Sequence, residues 1–187
     1  MKKSALLFLL IFLTASCKEI SFREPQPKGR RSLTSIPKRL QGKYLPSQEN
    51  GELSKDTVVI TENGYRFEYF DPVPPSNHRE AYDEGILSDT LILKSYRGYY
   101  FLSLYERPEW LLRVIKQERN GDIVYMAMEQ EDVDFNDYVR KLSFEIAVDS
   151  VMLDNETLYH IDPSPAQLVD LIEKGFFTRT ILRKVRE

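Results

Sequence analysis

The chain has one cysteine, one tryptophan and two histidines in 187 residues. A single cysteine excludes an intramolecular disulfide and every zinc site built on paired cysteines. With only His78 and His160, neither the His-x-x-x-His nor the His-Glu-x-x-His spacing of helical metal sites occurs. No Gly-x-Ser-x-Gly elbow and no phosphate-binding glycine loop is present. Basic charge is not in excess either: 26 Lys and Arg stand against 29 Asp and Glu, which argues against nucleic acid as a partner. The longest apolar run, residues 5–13, falls well short of the roughly 20 residues that a membrane-crossing helix needs.

That short run is nonetheless the most specific feature present. Lys2 and Lys3 precede it, and Thr14-Ala15-Ser16-Cys17 follows. A charged start, an apolar stretch and a small-residue cleavage site make an export signal. Thr14-Ala15-Ser16-Cys17 resembles the lipobox of bacterial lipoproteins processed by signal peptidase II, in the looser form found in Bacteroidota. The resemblance implies cleavage after residue 16, a diacylglycerol on the Cys17 thiol and an acyl group on its new amine. It further implies anchoring in the cell envelope, with the outer membrane expected and its periplasmic or surface face left open. Cys17-Lys18-Glu19 partly resembles the lysine-then-acidic signal for the cell surface. Several acyl chains are needed for lasting attachment, because each buried methylene contributes only about 0.8 kcal/mol.

Three segments follow from this reading: a signal peptide at 1–16, a lipidated N-terminus and flexible basic tether at 17–36, and one β-rich domain at 37–187. Residues 18–36 lack periodicity and contain Pro25, Pro27 and Gly29, which suits a tether. Residues 18–43 carry a net charge of +6 and residues 44–187 a net charge of −11. The expectation is a basic leader, suited to anionic headgroups, ahead of an acidic body.

From Leu40 onward the sequence alternates like half-buried strands. Thr57–Thr61 and Tyr65–Phe70 flank Asn63-Gly64, the pair that favours a two-residue turn with positive φ at both positions. Thr90–Lys94 and Tyr99–Tyr105 flank a second turn ending at Gly98, and 110–115 and 123–128 flank Asn120-Gly121. The first two hairpins align, Gly51-Glu-Leu-Ser with Gly85-Ile-Leu-Ser and Gly64-Tyr-Arg-Phe with Gly98-Tyr-Tyr-Phe. Residues 129–137 read as an acidic loop, and residues 142–148 and 157–161 as weaker strands. Ser164, Pro165 and Gln167 signal a capped helix that ends at Gly175, and Phe177–Val185 reads as a closing strand. The predicted class is mainly β: an antiparallel hairpin meander forming a barrel or strongly twisted sheet, with one C-terminal helix.

Gly42-Lys43-Tyr44 resembles the Gly-x-Trp entry of lipocalin-like barrels, with tyrosine in the tryptophan position. That resemblance implies a cavity for a small apolar ligand, which Tyr65, Phe67, Tyr99, Phe101 and Tyr125 could line; the expectation placed ahead of it is that the same aromatics simply fill the core. Loop 71–85 is long for a hairpin connection and is a candidate binding loop through His78, Glu80, Tyr82 and Asp83. Asp132-x-Asp134-x-Asn136 begins like a calcium loop, but Asp137 and Ser143 stand where glycine and glutamate are required. No metal, no cofactor beyond the covalent lipid and no catalytic residue is expected. The functional expectation is a membrane-anchored envelope lipoprotein with a non-enzymatic binding or assembly role. A lipocalin-like binder and a glycan-acting enzyme using scattered carboxylates are the alternatives, and the partners in view are the membrane, an envelope protein or a small apolar ligand.

Overall fold

The computed structural model describes residues 18–47, 51–70, 84–106, 108–130, 132–153 and 156–186. The signal segment 1–16, Cys17 and the binding-loop residues His78, Glu80, Tyr82 and Asp83 lie outside the described residues.

Nine strands form one antiparallel sheet that curls into a nearly closed barrel. They are β2 (Gly42–Pro46), β3 (Thr57–Ile60), β4 (Gly64–Glu68), β5 (Glu84–Ile86), β6 (Leu91–Tyr96), β7 (Tyr99–Glu106), β8 (Glu109–Gln117), β9 (Ile123–Ala127) and β13 (Thr178–Lys184). Their order is β5-β4-β3-β2-β13-β9-β8-β7-β6. The closing strand β13 lies at the centre, paired with β2 on one side and β9 on the other. The two aligned hairpins, β3–β4 and β6–β7, stand near opposite edges of the sheet, and those edges meet at a seam. Two glycines shape the seam. A Cβ on Gly64 would lie 1.9 Å from the Gly85 carbonyl oxygen, and one on Gly85 would lie 2.7 Å from side-chain atoms of Tyr65 and Leu91. Gly64 is therefore required by a close backbone approach, not by the positive-φ turn expected of Asn63-Gly64. The turn with positive φ at both residues is Arg97-Gly98, at 48° and 83°.

A second layer covers the outside of β7–β9. It is a four-stranded sheet of β10 (Glu129–Gln130), β1 (Lys18–Ser21), β12 (Glu156–Ile161) and β11 (Val148–Leu153), with helices α1 (Asp132–Ser143) and α2 (Pro165–Glu173). Helix α2 carries the expected capping box: the Gln167 amide donates to the Ser164 hydroxyl, and the Ser164 amide donates to the Gln167 side chain. Helix α1 occupies most of what reads in sequence as an acidic loop. Its acidic residues mask a helical stripe of Phe135, Tyr138 and Leu142, all buried. The helix also displaces the strand expected at 142–148, and pairing begins only at Val148.

Residues 18–36 are not a flexible tether. Ile20 and Phe22 are 0% exposed and belong to the core between the barrel wall and the second layer. β1 pairs in parallel with β12 and antiparallel with β10, and the Phe22 and Trp110 amides each donate to the other's carbonyl at 2.8 Å. The chain then crosses the outer face of β7 and β6. The Gln26 amide donates to Ser103 Oγ at 3.0 Å, and Lys94 Nζ donates to the carbonyls of Pro25 at 2.6 Å and Pro27 at 3.2 Å. At the outer edge of β6 the Leu33 amide donates to the Leu93 carbonyl, and the Ile36 amide donates to Glu62 in the β3–β4 turn. A 3-10 turn, Lys38–Leu40, then leads into β2. Prolines that suggest a linker here shape a strap that fills the unpaired edge of β6.

Phe22→Ala tests the strap. Truncating a fully buried phenylalanine costs about 3–5 kcal/mol, whereas the same change in a free tether costs nothing, and chemical denaturation of the two proteins measures the difference.

Candidate functional site

Side chains alternate across a strand, so each barrel strand sends one set of residues inward. On β7 the inward set is Tyr100, Leu102 and Leu104; the outward set includes Phe101 and Ser103. On β8 Arg113 and Ile115 face inward, and on β9 Ile123 and Tyr125. Together with Ile36 of the strap and Leu40 of the 3-10 turn, these strands line a partly open apolar cavity of about 260 Å³. Among the described residues, no aspartate or glutamate lines it directly.

Of the five aromatics expected to line a cavity, Tyr65, Phe67 and Tyr125 do so. Tyr65 and Phe67 meet edge to face at 6.1 Å, and Phe67 stacks on Tyr69 at 6.3 Å, which makes an aromatic row along β4. Tyr99 and Phe101 lie on the other side of the wall: Phe101 is fully buried in the second core, and Tyr99 packs against that core. Both faces of β7 are apolar there, so parity could not be read from hydrophobicity. Tyr44, the residue in the lipocalin tryptophan position, is 0% exposed at the end of the barrel where the strap enters. Its hydroxyl donates to the Leu40 carbonyl at 2.9 Å, and Lys184 Nζ lies 5.7 Å from its ring centroid. Burial pushes the Tyr44 phenol up to about 12.

The cavity has one polar end that the sequence reading missed. Arg113 forms a two-pronged pair with Glu19 of β1: Nη1 donates to Oε1, and Nη2 donates to Oε2 at 3.1 Å. Glu19 is the cross-strand partner of Glu129, so two carboxylates share this end with one guanidinium. Burial raises the Glu19 carboxyl above its ordinary value against the opposing pull of Arg113. Burial also pushes the Tyr125 phenol up to about 12, so its hydroxyl stays protonated at neutral pH. The signal was legible: Arg113 sits on the same strand face as Leu111 and Ile115 in an otherwise apolar run. Its partner was not, because Glu19 lay in a segment read as a tether.

Among the described residues, no group of three His, Cys, Asp or Glu side chains is placed to hold a metal ion. His160 is buried on β12 and accepts a hydrogen bond at Nε2 from Arg23 Nε at 3.1 Å, a tie between strap and second layer. Asp132, Asp134 and Asn136 lie on helix α1 and not on a loop.

No protein-family model matches the chain, and neither a curated protein nor a solved structure matches it.

Glu19→Gln takes from buried Arg113 its two-pronged carboxylate partner and leaves only the attraction of Glu129, and a loss of up to about 3–5 kcal/mol is expected. Replacing both residues with apolar ones of similar volume is expected to recover most of that loss. Denaturation midpoints of the single and double variants measure the contrast, and equal stability of Glu19→Gln and wild type would remove the pair from its structural role.

Proposed function

We propose that this chain is a non-enzymatic envelope lipoprotein whose barrel holds one small, largely apolar ligand. The observation that carries the reading is the cavity itself, apolar on nearly all sides, with the paired Arg113 and Glu19 at one end. A filled barrel would have argued for a solid core. At about 260 Å³ the cavity lies just under the roughly 300–1,000 Å³ of sites for drug-sized molecules, so it suits a single short chain or a small ring system. The gain is modest. About ten buried methylene equivalents contribute roughly 8 kcal/mol before the cost of association, which sets affinities at or weaker than the micromolar range.

The anchor half of the proposal rests on the Lys2-Lys3, apolar run and Thr14-Ala15-Ser16-Cys17 pattern. The strap sharpens its meaning. Pairing begins at Lys18, directly after Cys17, so a lipid on that residue would hold the body with no intervening linker. A protein partner is the second reading, and edge strand β11 favours it, since Val151 and Met152 stand exposed there, Met152 at 72%.

Uncharged N-phenylnaphthylamine, which fluoresces when moved from water to an apolar site, is expected to bind saturably at one site per chain. Leu102→Trp, which fills the cavity, is expected to weaken binding at least tenfold while the protein stays folded by circular dichroism. Unchanged binding by that variant would place the dye elsewhere and end the cavity reading.

Metabolic labelling with an alkynyl fatty acid tests the anchor independently. The wild-type chain is expected to take up label and Cys17→Ala to take up none; equal labelling would refute lipidation at this residue.

A further inference from the structure

Residues 18–43 are net basic and residues 44–187 net acidic along the chain, but the fold disperses the basic set. Arg23 and Lys28 of the strap pair with Asp149 and Asp162, but Arg30 and Arg39 come to one end of the barrel, where Arg97 joins them. Arg97 stands in the two-residue β6–β7 turn, with its guanidinium carbon 5.3 Å from the Tyr96 ring centroid. Arg30 of the strap lies 4.3 Å from the same centroid. Arg39 of the 3-10 turn donates to the Tyr100 hydroxyl from Nε at 3.1 Å and from Nη2 at 2.7 Å. These three arginines, with Ser95, Gly98 and the tyrosines, line one surface groove, and among the described residues no aspartate or glutamate lines it. Among the described residues none of the three guanidinium groups has a carboxylate partner. Lys116, over the Tyr99 ring at 5.3 Å, adds a fourth cation beside the groove. The nearest turns contribute Glu62 and Glu118 as carboxylates, and Asp122 is already held by Arg183 and by the Lys184 amide.

We propose that this groove is a binding site for a phosphate-type oxyanion, a phosphomonoester or a comparable dianion. The stereochemistry points one way. Every charged group at the groove is a donor, and guanidinium forks match tetrahedral oxyanions through paired N–H bonds. The Tyr100 hydroxyl already accepts two N–H groups from Arg39, so its own proton is left to donate. Three forks and a hydroxyl offer more donors than the two oxygens of one carboxylate can take, whereas a phosphate presents three or four oxygens. Stacking on tyrosine faces holds the guanidinium planes in place before an anion arrives, which lowers the ordering cost of binding. The groove also lies far from the chain's N-terminal strand. Gln117, paired with Ile123 at the start of β9, donates to the Arg39 carbonyl at 2.6 Å; Lys18 pairs with Gln130 beyond the other end of β9.

The test is a titration of the intact protein with inorganic phosphate, at constant ionic strength against chloride, read by NMR of the tyrosine rings and arginine side chains. Saturable shifts at Tyr96, Tyr99 and Tyr100 are expected, with a dissociation constant on the order of millimolar or tighter. The triple variant Arg30→Gln/Arg39→Gln/Arg97→Asn is expected to weaken binding at least tenfold; asparagine keeps the left-handed conformation of the turn. Arg39→Gln alone serves if the triple variant fails to fold, with at least a threefold loss expected. Lys55→Gln, over Phe70 and away from the groove, is expected to change nothing. Co-sedimentation with vesicles separates the sources: binding to phosphatidate vesicles but not phosphatidylcholine vesicles, lost in the variant, assigns a lipid headgroup, and phosphate binding without vesicle binding assigns a soluble phosphate ester. Shifts no larger than chloride produces, an arginine variant with undiminished affinity, or vesicle binding without phosphate binding would each overturn the site.

Discussion

Strands β7, β8 and β9 bury apolar side chains on both faces, and the rest of the structure answers that constraint. Leu102, Leu104 and Ile123 face the barrel interior, while Phe101, Leu112, Val114 and Met126 face outward. A barrel wall exposed to water on its outside could not carry the second set, because each fully exposed side chain of this size forgoes about 1.5–3 kcal/mol of burial. A second layer is therefore obligatory. The chain assembles it from its two ends: β1 comes from the start, and β10 to β12 with both helices come from the last third. One wall thus serves two cores, one enclosing a cavity and the other filled.

The same double burial explains what could and could not be read in the sequence. Hairpins announce themselves locally, so β3–β4, β6–β7 and β8–β9 were legible, as was the capped helix α2. The barrel class followed from their number and alternation. Parity did not: where Tyr99, Tyr100, Phe101 and Leu102 are all apolar or aromatic, alternation carries no signal, and Tyr99 and Phe101 were placed on the wrong face. Helix α1 was hidden for the opposite reason. Its acidic residues dominate the composition, and the buried stripe rests on three residues, Phe135, Tyr138 and Leu142.

The strap was the deeper omission. Between Lys18 and Ile36 the backbone is bonded mostly to distant partners: Tyr159, Met128, Trp110, Ser103 and Leu93. No local periodicity accompanies such pairing, and prolines are tolerated because much of the path lies along an edge or over a face. The candidate site inherits the same illegibility. The cavity's polar end needs Glu19 from the strap and Arg113 from β8, residues 94 apart in sequence. The basic groove draws on Arg30, Arg39 and Arg97 from three segments. Net charge along the sequence suggested a leader and a body, whereas the fold brings only some of the leader's basic residues to the groove and sends others to the second layer.

The parallel pairing of β1 with β12 places the first and nearly the last strands side by side, with Ser21 hydrogen-bonded to Tyr159 across 138 residues. A chain that emerges N-terminus first, from a ribosome or through a membrane pore, presents this strand long before its partner exists. Ile20 and Phe22 stay exposed to water throughout that interval. Contacts of such sequence separation are slow to form, since the loop entropy must be spent before they are made. The order in which the chain is made thus puts the native pairing of its first strand among the last steps of folding.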